Sequence, residues 1–89
     1  MANDHRHFPN KLRWYRKLHR YQQKQVATCL GVAASRLSRW ERGREYPNLT
    51  HLLTLCALYQ TLPTDLYGEY WQEIKEHLKT KQWELFEQR

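Results

Sequence analysis

Glycine and proline are scarce in this 89-residue chain, three of each, and long stretches run without either. A sandwich or barrel needs turn residues roughly every eight to twelve positions, so the expected fold is all-α. Long apolar runs are missing too. None approaches the ~20 residues that span a bilayer, and no membrane role is expected. Cysteine is limited to Cys29 and Cys56, without a CxxC and with no secretory segment before them, so a reducing cytoplasm is the expected location. Cys56 falls within an apolar periodicity and reads as a small core residue, Cys29 lies toward a helix edge, and neither reads as a nucleophile. Glycine-rich phosphate loops, clustered carboxylates and metal-ligand spacings are also lacking, which argues against an enzyme, a metal or a cofactor. His5 and His7 would need further ligands to hold a metal, and His19, His51 and His77 show no helpful spacing; all five read as solvated or incidental.

Acid is almost absent from the first half. Between Arg6 and Arg44 there are eleven Lys or Arg and one acid, Glu41, whereas Asp65 to Arg89 carries four bases and six acids. The net charge of +6 is therefore concentrated at one end, as an electrostatic footprint for phosphates would be.

What occupies that basic half is a pattern. In QQKQVATCLGVAASRLSRWERGREYP, residues 22 to 47, two short amphipathic segments flank Gly31, placed where a tight interhelical turn falls. Val26, Ala27 and Leu30 share one face of the first segment; Leu37 and Trp40 share one face of the second. Ser35, Arg36, Ser38, Arg39 and Arg42 are left on the other side, so the second helix has an apolar back and a basic, hydroxyl-bearing front. This is the layout of a helix-turn-helix.

The stretch resembles the phage repressor and Cro proteins of the XRE family. The resemblance is carried by Arg16, Gln23, Val26-Ala27, Leu30-Gly31-Val32, Leu37 through Gly43, and Pro47, and it continues through LTHLLTLCALYQTLPTDLY to about residue 67. It implies a five-helix DNA-binding domain over residues 10–67; the polar, His-rich residues 1–9 read by composition as a loose arm, and residues 68–89, which depart from the five-helix module, as an extra helical segment. It also implies a sequence-specific regulator of double-stranded DNA, most simply a repressor, with helix 34–42 in the major groove. Base-facing places then fall on Ala34, Ser35, Ser38 and Arg39. Arg39 is the best match to guanine O6 and N7, and Ala34 to a thymine methyl. Arg36, Arg42 and Arg44 suit phosphates, Asn48 is a weaker contact, and Gln23 is expected to hold a phosphate while bracing the reading helix. Arg16 and Glu41 match the family's interhelical ion pair. The alternatives are an antitoxin-like protein whose partner is a toxin, or an interaction module that has the fold without the specificity.

Local signals give the helices. The first is expected from the Asn10 cap to about Arg20, with Leu12 and Tyr15 inward. The second spans Gln23 to Leu30, although Gln22 and Ala33 stand where Ser or Thr would cap the second and third helices, at a cost of about 1 kcal/mol each. The fourth begins after Asn48, with Leu49, Leu52, Leu53, Cys56 and Tyr59 as its core side; the fifth covers Pro63 to Tyr67, with Leu66 and Tyr67 inward. The tail aligns Trp71, Ile74, Leu78 and Leu85 in a stripe that Lys81 interrupts, with Trp83 and Phe86 off its face. A sixth helix is expected to about Lys79. Trp71, Ile74 and Leu78 either join two copies into a homodimer or dock on Trp14 and Leu18 of the same chain.

Overall fold

The computed structural model describes residues 7–87, and among them the chain is all α-helical apart from one terminal π-turn. The elements are α1 (Leu12–Leu18), α2 (Gln23–Leu30), α3 (Ala34–Glu41), α4 (Leu49–Tyr59), α5 (Pro63–Leu66) and α6 (Gly68–Gln82), with the π-turn at Trp83–Glu87. His5 lies outside the described residues.

The first five helices close around Leu12, Val26, Ala27, Leu37, Trp40, Leu55, Cys56, Tyr59 and Leu66. Within α4 the buried face is Leu52, Leu55, Cys56 and Tyr59, an i, i+3, i+4, i+7 set. Leu49 and Leu53, expected inside, face water instead. All of LTHLLTLCALY but Thr50, His51 and Thr54 is apolar or aromatic, leaving more apolar positions than one face can hold, so periodicity alone does not select a face, and docking on α5 decides it.

Helix ends explain the other departure. α1 stops at Leu18, short of Arg20, because Arg20 takes φ 61° and the chain reverses: the Tyr21 N–H donates to the Arg16 carbonyl at 3.1 Å and that of Arg20 to Lys17 at 3.0 Å. Asn10 acts at the other end, its Oδ1 accepting from the Leu12 N–H at 2.9 Å. Its Nδ2 donates to the carbonyls of Phe8 and Trp40 at 2.8 and 3.0 Å, tying the entry of the chain to the end of α3. Nor is the stretch before Asn10 loose throughout. Phe8 is buried edge-on between the rings of Tyr46 and Tyr70, and its N–H donates to the Gly43 carbonyl at 2.8 Å.

His19 is structural rather than incidental: its ring lies near-parallel to those of Tyr21 and Tyr59, which also face each other, and Nε2 lies 2.9 Å from the Tyr59 carbonyl. Burial pushes the Tyr59 and Tyr67 phenols well above their ordinary range, and neither hydroxyl has a hydrogen-bond partner among the described residues. α6 runs on to Gln82, beyond Lys79, and has no buried residue. It helps to give the molecule its length of 53 Å against a thickness of 20 Å. No described helix is long and apolar enough to cross a membrane.

Candidate nucleic-acid interface

Two glycines fix α3 in place. Gly31, at φ 74°, ends α2 with the Val32 N–H returning to the Ala27 carbonyl and its own N–H to Thr28, a closure that satisfies the last carbonyls and turns the chain sharply into α3. Gly43, at φ 76°, ends α3 in the same way, through Arg44 N–H to Arg39 and its own N–H to Trp40. A side chain at Gly43 would also meet the His7 ring at 2.7 Å and the Phe8 carbonyl at 3.0 Å. Trp40 and Leu37 are fully buried beneath α3, and the Trp40 ring lies against His51.

Behind the helix, Glu41 gathers three donors. Arg16 Nε and Nη2 reach its two oxygens at 2.6 and 3.1 Å, and Gln23 Nε2 donates to Oε1 at 3.1 Å. Arg16 also donates through Nη1 to the Tyr21 carbonyl at 3.0 Å. The Arg16 and Glu41 side chains are only 11% and 4% exposed. The hydrogen-bonded carboxylate holds the guanidinium above its ordinary pKa, outweighing the desolvation that would lower it. One carboxylate thus locks the start of α2 and the end of α3 to α1.

The other face of α3 is open. Ser35, Arg36 and Arg42 are exposed, and Ser38 and Arg39 half-buried. Ala34 is half-buried because it also packs against the core. Arg42 Nε bends back to the Ser38 carbonyl at 3.4 Å, while Arg44 is exposed just past the helix. Asn48 is exposed but engaged, its Oδ1 accepting from the His51 N–H at 2.8 Å as the cap of α4. Caps are thinner upstream: Gln25 Oε1 accepts from the Gln22 N–H at 2.9 Å, and Ala33 offers no side-chain cap.

One residue of this surface went unread in the sequence. Glu45 accepts from Arg39 Nε at 3.1 Å, with both side chains partly in water. The signal was an opposite charge six positions on, but only the Gly43 reversal brings the two together. Trp71, Ile74 and Leu78 lie elsewhere, on α6, exposed, and Trp14 and Leu18 are uncovered as well, so the tail does not dock on α1. Among the described residues no three His, Cys, Asp or Glu side chains cluster to hold a metal.

A family model described as helix-turn-helix matches residues 12–66. No curated protein and no solved structure matches the chain.

Proposed function

Since the chain belongs to the XRE type of the helix-turn-helix family and is a DNA-binding regulator, we propose that it recognises a specific duplex sequence through α3 and represses transcription by occupying that site. The observation that carries this reading is the two-sidedness of α3: Leu37 and Trp40 are sealed in the core while Ser35, Arg36, Ser38, Arg39 and Arg42 line the side facing solvent. Such a helix presents donors and cations to a groove without disturbing its own packing.

Arg39 is the reader of guanine. With Nε held by Glu45, its two terminal nitrogens are left as a planar fork, the pair that matches O6 and N7. Glu45 is then a positioning residue, acting through Arg39. Ser35 and Ser38 reach neighbouring base edges, and Ala34 a thymine methyl. Arg36, Arg42, Arg44 and the start of α2 at Gln23 hold phosphates, with Asn48 at the margin.

Selecting bound duplexes from a random pool supplies the site, and binding titrations on the selected and a random duplex then assign the roles. Arg39→Ala is expected to cost about 1–3 kcal/mol on the selected site and little on random DNA. Glu45→Ala lowers the ratio between the two DNAs while removing a negative charge that opposes both. Gln23→Ala weakens both alike. Equal losses on both DNAs for Arg39→Ala would reassign that arginine to the backbone.

A further inference from the structure

Between the α3–α4 loop, α5 and the start of α6 lies an apolar groove of about 240 Å³, walled by the rings of Tyr46, Tyr67, Tyr70 and Trp71 and closed by Leu52 and Pro63. Its size falls between two benchmarks: apolar cavities of about 150 Å³ hold a single benzene ring, and drug-sized ligands occupy roughly 300–1,000 Å³. One or two fused rings would fit. The chain itself shows what these walls accept, because Phe8 is buried with its ring edge-on to Tyr46 at 4.8 Å and to Tyr70 at 5.3 Å between centroids. Such contacts stabilise aromatic pairs beyond the area they bury. Phe8 is not part of the groove wall, so a ring in the groove would meet Tyr46 and Tyr70 from another side and extend the cluster. Tyr46 is 63% and Trp71 44% exposed, and both would gain burial from it.

Charge orients the ligand. Lys75 holds its ammonium 4.4 Å from the centre of the Trp71 ring and joins no ion pair among the described residues, which puts an uncompensated cation beside that wall. Glu73 stands at the opposite edge of this face of α6, next to Tyr70. Asp65, on α5, is already engaged by the Thr61 hydroxyl and the Leu62 N–H. An anionic arm is therefore drawn to the Trp71 end of the groove and repelled from the other. We infer that the groove binds a small planar aromatic carboxylate, its ring among Tyr46, Tyr70 and Trp71 and its carboxylate toward Lys75.

The site has a route to DNA. Tyr46 directly follows Glu45, which accepts from Arg39 Nε at 3.1 Å, so one wall of the groove and the support of Arg39 are neighbours in a single loop. A ring packed on Tyr46 favours the loop conformation in which Glu45 reaches Arg39, and by linkage a duplex that engages Arg39 favours the ligand equally. The ligand is then an effector that strengthens specific binding. This regulatory half rests on the DNA-binding role proposed above; the site itself does not.

The first test uses the full chain without DNA, titrated with indole-3-acetate, indole and tryptamine, which share one ring system and differ in the charge on its arm. Amide resonances of Tyr46, Leu52, Trp71 and Ile74 should shift saturably, with a dissociation constant for indole-3-acetate on the order of 0.1–1 mM. Indole should bind roughly two- to fivefold more weakly and tryptamine more weakly still. Lys75→Gln should erase the advantage of the carboxylate, and Tyr46→Ala should weaken all three ligands with unchanged circular dichroism. No saturable shift at these amides overturns the site. Tryptamine binding as tightly as indole-3-acetate, or an advantage that survives Lys75→Gln, overturns the assignment of the carboxylate. In a second test, saturating indole-3-acetate should tighten binding to the selected duplex about fivefold or more and leave the Arg39→Ala protein unaffected. An unmoved affinity of the wild type overturns the regulatory half alone, and if no duplex is selected at all, the titration without DNA still decides the site.

Discussion

At the scale of single residues, Glu41 bears more of the architecture than any other polar side chain in the site. Three helices meet on its two oxygens, and only 4% of its side chain remains in water. Glu41→Ala strands the Arg16 guanidinium in the interior, where an uncompensated charge costs about 3–5 kcal/mol. Chemical denaturation should show a loss of that size, a large share of the 5–15 kcal/mol typical of folded domains, and an unmoved midpoint would mean that water replaces the carboxylate. The residues of this hub were legible because Arg16, Gln23 and Glu41 stand at the spacings of a known family. That Gln23 donates to Glu41 itself was not, because three-way geometry has no sequence spacing. Glu45 was invisible for a related reason: it meets Arg39 only through the backbone reversal at Gly43.

At the scale of elements, the sequence announced helix ends where glycine makes them and concealed those where it does not. Four reversals share one hydrogen-bond pattern, with Gly31, Gly43, Arg20 and Gln60 at positive φ. At Gly31 and Gly43 the residue type matches the backbone need, and α2 and α3 were placed within a residue. At Arg20 the left-handed turn is imposed by packing, so α1 was drawn two residues too long. The same competition hid the inward face of α4, where too many leucines offered themselves, and the true length of α6, whose stripe Lys81 breaks without breaking the helix. A missing signal also leaves room for improvement. Ala33 holds the extended conformation of an N-cap, φ −70° and ψ 146°, with nothing on its side chain to accept a hydrogen bond. Ala33→Ser should stabilise the fold by about 1 kcal/mol, read as a higher denaturation midpoint, and no change would indicate that the first amides of α3 are already served by water.

At the scale of the whole molecule, charge and apolar surface are segregated along the chain, the bases around α3 and the bare stripe on α6. Neutralising roughly five to eight phosphates per bound chain should make log affinity fall against log salt with a slope of about −5 to −7. Anisotropy titrations of a duplex across salt concentrations measure it, and a flat response would remove the electrostatic footprint from the account. The four tryptophans are divided along similar lines: Trp40 is sealed beneath α3, and Trp14, Trp71 and Trp83 stand in water. The protein's own fluorescence is therefore a gauge that needs no label. A collisional quencher such as acrylamide darkens the three outer indoles and spares the blue-shifted emission of Trp40, so the protected light follows the integrity of α3, while any shielding of Trp71 with rising concentration reports what settles on the tail.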